Sequence, residues 1–370
     1  MSGMKTVLYE EYAYEKGVKL IDFGGWQMPL HFENGIIEEH HAVRTKAGLF
    51  DVSHMGRCLL EGPQAEPFLD LVLTNTVSEM EDGQLLYSFM CYPNGTVVDD
   101  VIVYRLEKER YLMVMNAANT AKDLQWLSQE NPYASQAPTI IDFTPHTAQI
   151  ALQGPQAEAI LSLLAPQVAA LPFFNFLVDV NLKGVRTMVS RNGYTGEDGF
   201  ELYCDYQMAP QLWRSLLEAG KGVELMRCGL GCRDSLRFEA KLPLYGHEIS
   251  SDITPLEANL GYFVKFDKPD FCGKEALMKQ KEEGIRRTLR GIEMVDPSVP
   301  RQGYEVYHKE QLVGVVTSGA KSPTLNRFLA LVLFDRSIPL AFGDEVEVLI
   351  HSKRKRATIV KTPFYKKKSS

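Results

Sequence analysis

The chain has 370 residues, 45% hydrophobic and 24% charged, which is enough to build two or three hydrophobic cores. A formal net charge of -7 argues against nucleic acid as the main partner, and no apolar run reaches membrane-spanning length. The start, Met1-Ser-Gly-Met-Lys, has neither a signal peptide's apolar core nor a transit peptide's arginines, so the expected location is cytoplasmic, or organellar for a processed form.

In chain order, Asp22-Phe-Gly-Gly-Trp-Gln-Met-Pro29 reads as a tight aromatic loop, followed by an amphipathic helix through Ala47. Glu38-Glu-His-His41 within it invites a metal reading, but adjacent helical residues diverge by about 100°, so a helical surface is expected. The six cysteines (58, 91, 204, 228, 232, 272) form no Cys-x-x-Cys pair, and no histidine follows Cys228 and Cys232 at zinc-ligand spacing. They read as thiols in a reducing compartment, with no metal expected.

Phe50-Asp-Val-Ser-His-Met-Gly56 leads into a strand ending at Leu60. Leu60-Glu-Gly-Pro-Gln-Ala-Glu66 then opens a helix with Pro63 in its first turn, and the phrase returns as Leu152-Gln-Gly-Pro-Gln-Ala-Glu158. This is an internal repeat, with units starting near 57 and 149. After the first copy come strands over 87–91, 96–106 and 111–115 and a helix from about Asn119. The second is followed by strands over 185–190 and 200–204 and a helix with Trp213 and Leu217. Both fit the β-α-β-β-α-β (ferredoxin-like) plan.

The loop Ser190-Arg-Asn-Gly-Tyr-Thr-Gly-Glu-Asp-Gly199 joins two β-favouring runs, and its glycines permit positive φ and close approach to a ligand. Tyr194, Glu197, Asp198 and Glu201 are its polar candidates. If the two hairpins are equivalent, Asp99 or Asp100 corresponds roughly to Glu201, and the repeat brings a carboxylate from each half to one cleft. Alternation along Val97-Val-Asp-Asp-Val-Ile-Val-Tyr104 sets Asp100 with Val98, Ile102 and Tyr104, and Asp99 with Val97, Val101 and Val103. From spacing alone, a structural salt bridge and a catalytic carboxylate are about equally good readings.

Gly229-Leu-Gly-Cys-Arg-Asp-Ser235 puts Arg233 and Asp234 at a helix start, where a guanidinium can grip a carboxylate or a heteroaromatic edge. The stretch lacks the further glycine and the preceding strand of a dinucleotide fingerprint. A charged helix over 277–284 precedes short β-rich pieces at 289–293, 304–308, 312–317, 329–333, 345–350 and 357–360, which fit a β-barrel or jelly-roll-like domain. The expected organisation is a catalytic region over 1–277 and a barrel domain over 278–370. From His351 onward the charges are all basic, through Lys353-Arg-Lys-Arg356, Lys361 and Lys366-Lys-Lys368, a rim suited to an acidic partner.

Taken together and in this order, the motifs resemble one family over essentially the whole chain. They are Asp22-Phe-Gly-Gly-Trp, Phe50-Asp-Val-Ser-His-Met-Gly, Asp99-Asp100, Asn116-Ala-Ala-Asn119, Gly193-Tyr-Thr-Gly-Glu-Asp-Gly199, Arg233-Asp234, Leu244-Tyr-Gly246, Gly273-Lys-Glu-Ala, Thr317-Ser-Gly, Ser322-Pro-Thr-Leu and Lys361-Thr-Pro-Phe-Tyr365. The family is the aminomethyltransferases of the glycine cleavage system, the T-proteins. The resemblance implies a three-domain cloverleaf whose central channel holds tetrahydrofolate. It also implies transfer of an aminomethyl group from the lipoyl arm of a carrier H-protein to that folate, releasing ammonia and forming 5,10-methylenetetrahydrofolate. By the same resemblance Asp100 is the catalytic carboxylate, while Asp99, pointing the other way along the strand, is expected to be structural. Glu201 and Arg233 match pterin- and folate-binding positions, Tyr87, Asn116 and Tyr194 line the pocket, and Tyr245, Tyr365, Met55 and Tyr104 are further candidates.

Three departures from the family pattern stand at turn or small-residue positions: Asn94-Gly-Thr96 for a double glycine, Gly231-Cys-Arg for Gly-Ala-Arg, and Asn192 where threonine is common. The rivals are a non-enzymatic folate-binding module of the iron-sulfur assembly kind, whose Lys-Gly-Cys-Tyr-type motif is missing here, and a folate-dependent demethylase. The folate-binding half of a dimethylglycine- or sarcosine-oxidising enzyme would require a flavin domain, for which the chain has neither room nor fingerprint. The basic C-terminal residues are the expected docking surface for an acidic carrier.

Overall fold

A computed structural model describes residues 3–367. The aromatic loop is a hairpin, β1 (Lys19–Phe23) and β2 (Trp26–His31). Gly24 and Gly25 both hold positive φ, the backbone that a two-residue hairpin turn requires. Helix α1 (Gly35–Thr45) leads to β3 (Gly48–Asp51), a strand the sequence patterns do not reveal, and then β4 (Gly56–Glu61).

The first repeat unit continues with α2 (Ala65–Val72), β5 (Leu85–Cys91), β6 (Val97–Glu107), β7 (Arg110–Met115), α3 (Thr120–Gln125) and β8 (Thr139–Asp142). The second consists of β9 (Thr147–Gln153), α4 (Ala157–Ser162), β10 (Phe176–Leu182), β11 (Val185–Ser190), β12 (Gly199–Asp205), α5 (Ala209–Ala219) and β13 (Met226–Arg227). Helices α6 (Leu230–Glu239) and α7 (Lys274–Glu283) follow. The chain ends in β14 (Arg287–Met294), β15 (Glu305–His308), β16 (Gln311–Lys321), β17 (Phe328–Asp335), β18 (Glu345–Ile350) and β19 (Lys353–Val360).

The repeated Gly-Pro phrase stands where β4 and β9 end, turning the chain into α2 and α4. Gly154, with φ 125°, lies where a Cβ would meet the Lys46 carbonyl at 2.6 Å, so no other residue fits that turn. Pro63 sits two residues before α2 rather than inside its first turn. The first sheet runs β5-β6-β7-β4-β8 and the second β10-β11-β12-β9-β3-β13. Matched strand for strand, the orders coincide once β3 is removed from the second. Each unit therefore has one strand more than the four expected.

This register corrects the expected equivalence of the acids. The first unit's β5–β6 hairpin matches β10–β11, so Asp100 on β6 has no counterpart in Glu201, which lies on β12. The alternation on β6 is also broken, because a bulge opposite Met90 and Cys91 leaves Val98 unpaired. Val98 thus packs with Val101 and Val103, while Val97 joins a different cluster with Phe89 and Cys91.

Because β3 belongs to the second sheet, the first unit is an insertion between β3 and β9. Arg57, 1% exposed, closes the neck of that insertion. Its guanidinium donates to the carbonyls of Ser53 (3.1 Å), Met55 (2.7 Å), Thr144 (3.0 Å) and Thr147 (3.0 Å), joining the strand leaving β3 to the strand entering β9. Burial lowers its pKa to about 10, which leaves it charged.

Each unit has its own core: Phe68, Leu69, Met113 and Trp126 in the first, Leu49, Ile150, Leu202 and Trp213 in the second. A shared cluster of Leu59, Leu112, Val114, Phe176 and Tyr203 packs one sheet against the other. Strands β14, β17, β16, β15, β18 and β19 close into a barrel around Val306, Val316, Val332 and Ile359. Glu239 at the end of α6 ties the parts together. Its carboxylate accepts from Arg44 of α1 (3.1 Å), from Thr324 of the barrel (2.7 Å) and from Ser322, and lies 3.2 Å from His40.

Two surface expectations change. Glu39 and His40 face inward, Glu39 accepting the Phe32 N–H (2.6 Å) and Gly229 N–H (2.9 Å), and His40 meeting Ser235 (2.7 Å) and Thr324 (2.8 Å). The basic run on β19 is partly neutralised, with Arg354 against Glu310 (3.1 Å) and Arg356 against Asp296 (3.3 Å). Lys368 lies outside the described residues. Among the described residues no helix is long and apolar enough to cross a membrane.

Candidate functional site

Where the two sheets meet α6 and the loop after it lies a cavity of about 240 Å³. Asp100, Tyr87, Asn116, Met55, Tyr194, Glu201 and Arg233 all line it. The repeat does bring one carboxylate from each unit to one cleft, though from non-equivalent strands. A larger open groove of about 1140 Å³ between α7 and the barrel holds charges such as Glu257 and Arg287 that already pair with each other (2.8 Å).

On the first unit's wall, Asp100 accepts from the Tyr87 hydroxyl (2.9 Å) and from Asn116 Nδ2 (2.7 Å). Asn116 Nδ2 also meets Asp99 (2.9 Å), which accepts further from the Asn116 N–H (3.0 Å) and Asn119 Nδ2 (2.7 Å). Asp99 is 0% exposed, whereas Asp100 stays reachable from the cavity. Enclosure by protein, and then the neighbouring Asp99 charge, push Asp100 up from 3.8 to about 7, against the lowering effect of its two donors. Behind them, burial and Asp99 drive Asp123 up to about 11, so this buried acid keeps its proton.

The opposite wall is built around Glu201. Gln149 (3.1 Å), Asn192 (3.1 Å) and Tyr203 (2.9 Å) all donate to its Oε2. No donor among the described residues reaches Oε1, which leaves that oxygen free for a ligand. Gln149 and Asn192 were not foreseen, because only the pairing of β12 with β9 and β11 brings them to Glu201.

The glycine loop closes over Gln153 of the repeated phrase. A Cβ at Gly193 would meet Gln153 Oε1 at 1.9 Å, which is why glycine stands beside Tyr194. Glu197 pairs with Arg44 (2.9 Å) and Asp198 with Arg191 (2.5 Å), so both acids secure the loop. Tyr194 donates to the Pro243 carbonyl, and the Arg233 guanidinium lies 4.3 Å from its ring centroid. Arg233 has no carboxylate or hydrogen-bond partner among the described residues, and burial lowers its pKa. Phe173, Phe174, Phe263 and Lys241 complete the lining, Phe173 being 63% exposed at the mouth.

Three expected residues lie elsewhere. Tyr104 is 0% exposed, its hydroxyl 2.9 Å from that of Tyr203, so it supports Glu201 from behind. Tyr245 packs under Lys122, whose Nζ is 4.4 Å from its ring, and points to the Val97 carbonyl (3.4 Å). Tyr365 lies under Arg44, 4.0 Å from ring to guanidinium.

Glu39, Cys228 and Cys232 bring ligand-type atoms within 4.8 Å of one another. Both Glu39 oxygens already accept backbone N–H groups, and burial pushes both thiols up, so the trio is a self-satisfied cap on α6.

Comparison with known proteins gives one answer. The family profile described as GCVT N-terminal domain matches residues 9–268, and that of the glycine cleavage T-protein C-terminal barrel domain matches 287–366. The chain is 51% identical over 361 residues to an aminomethyltransferase of Halalkalibacterium halodurans, covering 97% of this chain and 96% of the relative. It is 50% identical over 365 residues to one from Caldanaerobacter subterraneus subsp. tengcongensis, covering 98% and 96%. Among solved structures, the glycine cleavage system aminomethyltransferase T from Bartonella henselae superposes with a TM-score of 0.90 at 32% identity, covering 98% of both chains.

Proposed function

Since the chain belongs to the glycine cleavage T-protein family of aminomethyltransferases, we propose that its cavity takes tetrahydrofolate and that Asp100 is its catalytic carboxylate. The donor in this reading is an aminomethyl group on the lipoyl arm of an H-protein. The observation that carries it is one acid, Asp100, reachable from the cavity, held by two donors and poised at about 7. When bound, the folate supplies two nitrogens to the methylene carbon. Ammonia and the lipoyl thiol leave with the two protons that nitrogen gives up.

Asp100 can accept and return a proton near neutrality, and when ionised it stabilises positive charge at the one-carbon centre. Tyr87 holds it as a permanent donor, because burial and the Asp100 charge push the phenol well above its usual range. The free Oε1 of Glu201 suits the donor edge of a pterin, and the aromatic side chains suit its flat ring. Arg233, lacking a partner, suits an anionic group. Six free cysteines, all buried, fit the reducing environment of the cytoplasm.

Ammonia release from aminomethyl-loaded H-protein, with and without tetrahydrofolate, tests this reading. Strong folate-dependent release supports the transferase; folate binding without release leaves a binding module or a different donor. If the ionised Asp100 is the working form, kcat/KM for tetrahydrofolate should rise with pH to a plateau above about 7 and fall about tenfold per unit below it. A flat profile between pH 5.5 and 8.5 would remove Asp100 from that role. Glu201→Gln should weaken folate binding about ten- to hundredfold, through loss of a charged acceptor. Isothermal titration that finds affinity within twofold of the native protein would reassign Glu201 to a structural part.

A further inference from the structure

The fold compensates buried cations wherever they occur outside the cavity. Arg44 has Glu239 and Glu197, Arg237 has Glu248 and Asp234, Arg57 has its carbonyls, and Lys268 has the carbonyls of Leu73 and Asn75. Two half-buried cations on the cavity wall, Arg233 and Lys241, stand apart from these. Neither has a hydrogen-bond or ion-pair partner among the described residues. The acid that acts on Lys241 is Glu248, which already accepts from Arg237 (2.7 Å), Thr317 (2.8 Å) and the Leu244 N–H (3.1 Å). Lys241 also holds φ 59°, a left-handed backbone that suits glycine and disfavours any residue with a Cβ. A half-buried, unpaired lysine in such a conformation calls for an anion that arrives with the ligand.

Resting on the tetrahydrofolate reading, we propose that Lys241 acts with Arg233 as a two-cation anchor for the glutamyl carboxylates of the folate. The cavity then discriminates ligands by the charge of the glutamyl tail, and Lys241 is a specificity-determining residue. Pterin recognition rests on Glu201 and is separate from this contact.

The test compares two ligands on two proteins. Tetrahydrofolate and tetrahydropteroate share the pterin and p-aminobenzoyl groups, and only the first carries glutamate. Lys241→Gly removes the charge while supplying the residue its backbone prefers, so its melting temperature should equal or exceed that of the native chain. The expected result is an approximately tenfold higher Kd for tetrahydrofolate in Lys241→Gly, with tetrahydropteroate changed less than twofold. Lys241→Arg should retain most of the tetrahydrofolate affinity. Equal losses for both ligands, or no loss for either, would overturn the anchor while leaving the folate site standing. A native protein that binds neither ligand would overturn the folate reading itself.

Discussion

Asp100→Asn should cut turnover at pH 7.5 by about a hundred- to ten-thousandfold while tetrahydrofolate still binds. Asparagine fills the same volume and can still meet Tyr87 and Asn116, but it neither carries charge nor moves a proton. The variant should also be more stable than the native protein, in a defined pH window. The folded state holds the Asp100 proton more tightly than the unfolded chain, about 7 against 3.8. The resulting destabilisation is absent below about pH 4, grows between 4 and 7, and is complete above 7. Melting curves at pH 4 and pH 8 should therefore separate the two proteins only at pH 8. A variant turning over near the native rate would remove Asp100 from the mechanism.

Glu239→Ala should destabilise the fold by about 3–5 kcal/mol, because it leaves Arg44 and His40 buried without their anion and releases two barrel hydroxyls. The residue is fully buried, and the change disconnects α1, α6 and the barrel at one point. Burial alone would raise this carboxyl. Hydrogen bonds from His40, Ser322 and Thr324 overcome that and hold it at about 2. Its contribution is therefore full above about 4.5 and lost as pH falls through about 2. Urea titration at pH 7 measures the cost, and a loss below about 1 kcal/mol would show that the barrel is fixed by other contacts.

Much of the site could be read from the sequence because its residues sit in motifs whose order is distinctive. Asp100, Glu201, Arg233, Tyr87, Asn116 and Tyr194 all reach one cavity. Tyr104, Tyr245 and Tyr365 sit near that motif set but pack behind it, and an aromatic side chain's direction depends on neighbours that linear spacing does not encode. The strand alternation that separated Asp99 from Asp100 survives from Asp99 onward and fails at Val98, since a bulge leaves no mark in a run of valines. Short β3 escaped notice because four residues between a helix and a polar turn carry too little pattern, and its place was set by a partner about 100 residues away. Lys241 was silent for a related reason: a lysine in a loop looks solvated until the fold encloses it.

The nesting of the first unit between β3 and β9 has a consequence for biosynthesis. Residues 56–142 carry all five strands of their sheet and are made before β9. Residues 48–51, already made, must wait for β9, and at ordinary elongation rates the roughly 100 intervening residues take on the order of 5 to 20 s. Throughout that interval Leu49 and Phe50 lack the β9 partners, Leu152 and Ala151, that they pair with in the fold, and a chaperone bound to the nascent 48–51 segment would shield them.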